Sequence, residues 1–146
     1  MLNDDDLNRY ARQVIIPNFE EDGQENLLNT KCLIVGAGGL GCPVALYASA
    51  AGFGHIEIYD EDIIEISNLN RQIAHKNDHI GNNKAENLVQ ECLKINPNIT
   101  IISRKNIFDE TIDVSNFDLI FDTEDLLNVD TAITSDLVFF LKSLIM

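Results

Sequence analysis

The chain has 146 residues, 45% of them hydrophobic, and a formal net charge of −14. That length gives one ordinary domain with a real core, and the acid excess argues against wrapping nucleic acid or docking on an anionic membrane. The sequence opens Met1-Leu2-Asn3-Asp4-Asp5-Asp6 without a secretory leader, and no apolar run is long and uninterrupted enough to span a bilayer. Cys32, Cys42 and Cys92 form no Cys-x-x-Cys pair, so no zinc site is expected in this chain, and the composition reads as a cytoplasmic protein.

Along the chain, residues 4–13 read as a helix with its acids at the N-terminal end, where the helix dipole favours them. A second short helix is expected at 22–29, so that residues 1–30 form an N-terminal helical segment. Residues 32–36 form a buried strand bounded by glycines. Pro43 suits the first turn of the next helix, at 43–51, whose alanines permit close packing on a sheet and which Gly52 ends. A strand at 55–59 ends at Asp60. Residues 82–95 are amphipathic at helical spacing and stop at Asn96-Pro97. Strands follow at 99–103 and 119–121, then a helix at 129–141 and the start of a fifth strand at 144–146. Strands alternating with helices predict an α/β fold: a Rossmann-like, mostly parallel sheet with helices on both faces, cut off at about the fifth strand. Residues 1–146 then form a single partial domain.

Chemistry concentrates at Gly36-Ala37-Gly38-Gly39-Leu40-Gly41. Gly36, Gly38 and Gly41 match the glycine spacing of a dinucleotide fingerprint, with Gly39 in addition. Glycines permit a tight turn and close approach of backbone to phosphate, and the following helix N-terminus supplies N–H groups. Asp60, at the end of the next strand, is placed to bond ribose hydroxyls. This pattern alone leaves NAD, FAD and ATP open. Arg71 and Lys84 bear on the choice. Hydride transfer needs no further cations at the phosphates, whereas nucleotidyl transfer does, because charge builds as pyrophosphate leaves. Asn68 offers a donor to a phosphate or bridging oxygen, and Gln72 holds the loop. Asp122 and Asp125 follow the fourth strand, at the sheet edge where such folds bind ligands. Asp125 is the candidate Mg²⁺ ligand and Asp122 a brace for the loop.

Arg9-Tyr10-Ala11-Arg12-Gln13, the glycine segment, Asp60-Glu61-Asp62, Ser67-Asn68-Leu69-Asn70-Arg71-Gln72, the segment 81–84 and Asn96-Pro97 stand in an order that resembles the ThiF/MoeB/HesA family. These are relatives of the ubiquitin-activating enzymes. The resemblance implies ATP-dependent adenylation of the C-terminal Gly-Gly carboxylate of a ubiquitin-like sulfur-carrier protein, of the molybdopterin or thiamine biosynthesis type. By position it puts Gly38, Gly39 and Gly41 near the phosphates and Asp60 at the ribose. It sets Asn68, Arg71 and Lys84 at the triphosphate and Asp125 at Mg²⁺. It also implies that Arg12 reaches the γ-phosphate from the other subunit of a homodimer.

The sequence departs from the family pattern after the fourth strand. The usual Thr-Asp-Asn reads Glu124-Asp125-Leu126, and the arginine expected shortly afterwards is Asp130. Leu126 donates no hydrogen bond and Asp130 reverses a charge. The family's later crossover loop and two zinc-binding Cys-x-x-Cys pairs are not in the sequence. The chain therefore reads as the family's N-terminal nucleotide-binding half, a fragment or truncation, or a chain completed by another subunit. The alternative is a non-catalytic remnant that binds nucleotide or dimerises, and an NAD-dependent redox domain is a third, opposed by Arg71 and Lys84.

Overall fold

A computed structural model describes residues 1–124 of the chain. The helix expected at 129–141, the strand at 144–146 and Asp125 lie outside the described residues. The elements run α1 (Asp4–Arg9), α2 (Ala11–Val14), α3 (Glu20–Asn29), β1 (Lys31–Val35), α4 (Gly41–Ala51), β2 (His55–Tyr59), α5 (Lys84–Ile95), β3 (Thr100–Arg104) and β4 (Leu119–Asp122), with short 3-10 turns at Ile66–Asn68 and Asn77–His79.

Several expected boundaries shift by a residue or two, and the N-terminal helix is divided. The helix expected at 4–13 is broken at Tyr10 into α1 and α2. At the break the Tyr10 side chain is buried, and its hydroxyl accepts a hydrogen bond from Asn96 Nδ2 at 2.9 Å. α1 itself is well specified: Asn3 Oδ1 accepts from Asp6 N at 2.9 Å and Asp6 returns a bond to Asn3 N, a capping box. α3 starts before the expected residue 22 and takes Gly23 into its interior, because the Phe19 ring occupies the space a side chain there would need. The helix expected from residue 82 begins at Lys84, since Asn83 is its cap and accepts from Glu86 N at 3.0 Å.

All three strand pairs are parallel, in the order β3-β2-β1-β4. Register sets Val35 beside Tyr59 and also beside Asp122, so the carboxyl ends of β1, β2 and β4 finish level. Strand order reverses at β1, which places a crevice outside its carboxyl end. One face of the sheet, Cys32, Ile34, Ile56 and Ile58, is covered by Ala45 and Ala48 of α4 and Leu88 and Cys92 of α5. The small residues of α4 let it approach closely, as read from the sequence.

The opposite face is filled by a different kind of segment. Among the described residues it is covered by the loop 105–118 rather than a helix, with Phe108, Ile112, Val114 and Phe117 packed on Leu33, Val35 and Tyr59. That loop cannot wind up. Asp109 and Asp113 each accept from the backbone N–H two residues on, at 2.9 Å, and these local turns compete with helix. No described helix is long and apolar enough to cross a membrane.

Leu88 is fully buried between α5 and the sheet. Leu88→Ala is expected to lower stability by about 2–5 kcal/mol, read from urea denaturation of the full chain.

Candidate nucleotide site

The site is built where β1 leaves the sheet. Gly36 takes a left-handed φ of +93° and donates to Tyr59 O at 2.8 Å. A side chain at Gly41 would lie 2.0 Å from Gly36 O, so the two glycines close the turn upon each other. Thr123, just past β4, secures it by donating from Oγ1 to Val35 O at 2.7 Å. Gly36 and Gly41 are thus required by the protein's own packing.

Gly38 and Gly39 are not. A Cβ at Gly38 would meet only Gln72 Nε2 at 3.5 Å, and one at Gly39 only the Arg71 stem and carbonyl from 3.6 Å outward. Both are ordinary contacts. No described residue accepts from the backbone amides of Gly38, Gly39, Leu40 or Gly41. Unpaired amides at a helix start, next to glycines that internal packing does not demand, suit an anion brought close to backbone.

The turn is held by Asp60. Its buried carboxylate accepts from Ala37 N at 2.7 Å through Oδ2 and from Asp62 N at 2.9 Å through Oδ1. Asn83 Nδ2 donates to Asp60 O at 2.9 Å and to Asp62 O at 3.1 Å, which ties the start of α5 to the end of β2. Lys84, expected as a mobile point charge, is buried, with Nζ 2.7 Å from the exposed Asp62 carboxylate.

Arg71 is brought to the turn. Its stem lies over Gly39, and Nη1 donates to Ser67 O at 3.1 Å and Asn70 Oδ1 at 3.0 Å. The guanidinium is exposed and pairs with no described carboxylate. Asn68 caps its own short turn: Oδ1 accepts from Glu65 N at 2.9 Å, while Nδ2 has no described partner. Beside these, a cleft of about 130 Å³ opens between residues 59–62 and 106–108, with Glu124 on its rim. It is acidic where the turn offers N–H groups. Burial, then the neighbouring Asp60, Asp122, Asp62 and Glu61 charges, hold the Glu124 carboxyl above its usual pKa. Asp122 braces the loop as expected, its Oδ1 accepting from Glu124 N at 3.2 Å.

Arg12 is not brought to this site within one chain. Its neighbour Gln13 donates to Ala51 O at 2.9 Å, at the far end of α4 from the glycine turn. The eleven residues of α4 make that separation about 16 Å. Among the described residues no cluster of His, Cys, Asp and Glu is arranged to hold a metal ion.

Sequence reasoning missed Thr123 and His75. His75 is buried and bonds the turn through Nε2, 2.9 Å from Ala37 O. Cys42 Sγ lies 3.8 Å from the same nitrogen, but burial pushes this thiol up to about 11, so it is no nucleophile. Nothing in local spacing marks His75, because its partners Ala37 and Asn87 come from other elements.

The four-stranded parallel sheet of the described residues, with a glycine turn at its order reversal, defines a Rossmann-like α/β domain. The chain belongs to the ThiF family, whose model matches residues 10–145. It is 41% identical over 126 residues to the adenylyltransferase and sulfurtransferase MOCS3 of Caenorhabditis briggsae, covering 86% of this chain and 30% of that protein. To the adenylyltransferase and sulfurtransferase UBA4 of Scheffersomyces stipitis it is 42% identical over 128 residues, covering 83% of this chain and 28% of the other. Among solved structures, E. coli MccB with ATP is 39% identical with a TM-score of 0.58, over 60% of this chain and 26% of that one. TcdA (CsdL) shares the fold with a TM-score of 0.78 at 22% identity, over 86% of this chain and 50% of that one. The chain spans less than a third of the curated relatives named here.

Two outcomes follow from this geometry. Gly41→Ala is expected to lower the melting temperature sharply, while Gly39→Ala leaves it within a few degrees, as thermal melts will show. Burial, ahead of the Lys84 and His79 charges, lowers the His75 pKa from 6.5 and outweighs the Ala37 bond and Asp60. The unfolded chain then takes up the proton first, so stability falls as pH drops through 6.5 and levels off below the lowered folded value. Urea midpoints between pH 8 and pH 5 should show a smaller drop in His75→Gln than in wild type.

Proposed function

We propose that this chain forms the nucleotide-binding half of an adenylyltransferase that activates the C-terminal Gly-Gly carboxylate of a ubiquitin-like sulfur-carrier protein. The observation that carries the reading is the row of unpaired amides at residues 38–41, lying under Arg71 with no internal demand for glycine at Gly38 and Gly39. Family membership, the names of the MOCS3 and UBA4 relatives and the ATP-bound MccB neighbour support it.

In this reading the triphosphate of ATP rests on the turn and the ribose hydroxyls face Asp60 and the acidic cleft. A carrier carboxylate oxygen attacks the α-phosphorus, the bond from that phosphorus to the β-bridging oxygen breaks, and pyrophosphate leaves with the electron pair. Arg71 and Lys84 stabilise the charge that builds on the departing phosphates, and Asn68 Nδ2 donates to them. Lys84 exchanges Asp62 for phosphate, a move of one ammonium between two anions. Asp125 would hold the Mg²⁺ that accompanies ATP, and the metal would offset charge on the phosphates. Arg12 completes the site from a second subunit, since α2 lies too far from the turn of its own chain. The exposed Leu40 and Tyr47, with Val44 between them on one face of α4, offer an apolar surface for such a homodimer. The protein works in the cytoplasm.

A second reading, nucleotide binding or dimerisation without adenylation, is favoured by Glu124, which adds a carboxylate to a rim already crowded with acids. Pyrophosphate exchange separates the two. Exchange that depends on a carrier ending in Gly-Gly supports the enzyme; ATP binding without exchange supports the remnant.

Arg71→Ala and Lys84→Ala are each expected to weaken ATP binding or exchange by about tenfold or more, from loss of a charge-assisted bond. Asp125→Asn should flatten the magnesium dependence of exchange. Light scattering should report a dimer at micromolar concentration. Unchanged ATP titrations in Arg71→Ala would remove that residue from the site.

A further inference from the structure

Ala37 is held through both of the peptide groups that flank it. Its N–H, in the Gly36–Ala37 peptide, donates to Asp60, and its carbonyl, in the Ala37–Gly38 peptide, points inward to His75 Nε2 at 2.9 Å, with the Cys42 thiol 3.4 Å away. A trans peptide sets its C=O and N–H in opposite directions. A carbonyl drawn into the core therefore turns the Gly38 N–H outward. This is the side on which no described residue accepts from it.

For this to work, Nε2 must carry the ring proton. Asn87 decides that. Its Nδ2 donates to Ala74 O at 3.3 Å and lies 2.9 Å from His75 Nδ1. An amide nitrogen donates and never accepts, so Nδ1 must be the bare, accepting nitrogen and Nε2 the donor. His75 and Asn87 are both buried, which makes each of these bonds costly to lose.

We infer that His75 is a positioning residue for the anion site: held in its Nε2–H form by Asn87, it draws the Ala37 carbonyl inward and so aims the Gly38 amide at bound phosphate. His75 touches no ligand itself. It acts through one peptide plane, from a loop that also carries Arg71, so the cation and the amide are placed by the same segment. The inference rests on reading the turn as a phosphate site.

The test uses the full chain and ATP with magnesium. In the wild type, long-range ¹H–¹⁵N correlation of the His75 ring should show the Nε2–H tautomer at neutral pH. In calorimetry, His75→Phe, which keeps the ring volume without a donor, should lose about tenfold in ATP affinity. His75→Gln, which restores an N–H at about the reach of Nε2, should recover most of it. Hydrogen exchange should speed up at residues 36–41 in His75→Phe and not across the sheet. A merely structural role would loosen both regions and would not be rescued by glutamine. An Nδ1–H tautomer, or wild-type ATP affinity in His75→Phe, overturns the inference alone. If His75→Phe fails to fold, the wild-type tautomer and the affinity of His75→Gln decide: an Nδ1–H ring, or a folded His75→Gln as weak as Arg71→Ala, overturns it. A wild type that binds no ATP overturns the proposed function and this inference with it.

Discussion

One carboxylate holds the site together. Asp60 stands at the end of β2 and accepts from Ala37 at the end of β1, so it joins the exits of two neighbouring strands. This contact exists only because the strands are parallel and in the register that sets Val35 beside Tyr59. A slip of one residue would turn every side chain to the opposite face and point Asp60 away. Asp60 is buried, and backbone amides donate to both its oxygens, the arrangement in which a buried carboxyl group is tolerable. The carbonyls of Asp60 and Asp62 in turn hold Asn83, and Asn83 starts α5. The glycine turn, the end of β2 and the first residue of α5 form one connected network.

That network resolves an electrostatic conflict. A chain with net charge −14 carries a site suited to an anion. Local geometry overcomes the unfavourable global field, because contacts within a few ångströms outweigh screened charges farther away. The polar groups are also sorted by sign. Amides and the Arg71 stem line the turn, while carboxylates line the adjoining cleft. A ligand with an anionic end and a hydroxyl-rich end matches this division, and one uniformly charged ligand does not. Lys84 is held by Asp62, one of the carboxylates of the cleft.

Much of this was readable from local pattern. The strands, α4 and α5 follow from runs and periodicities a few residues long, and the glycine spacing announced the turn. Reading failed where a distant partner decided the outcome. The N-terminal helix breaks at Tyr10, whose buried ring is anchored by Asn96, far along the chain. The loop 105–118 stays unwound through its own aspartates, yet covers the sheet because Leu33, Val35 and Tyr59 need burial. The glycines looked alike in sequence. Only packing separates Gly36 and Gly41, which the protein needs for itself, from Gly38 and Gly39, which it does not.

The sequence by itself determined the alternation of strands and helices, the family and the residue types that can meet an anion, because each depends on short-range spacing or on motif order. Tertiary structure decided which of those residues share a site. It set Asp60 and Arg71 against one turn, tied Lys84 to Asp62, set Arg12 at the other end of α4, and recruited His75, which no motif marks. Proximity between residues far apart in the chain is created by strand order and register, and those are settled only when the apolar faces of the whole sheet are buried together.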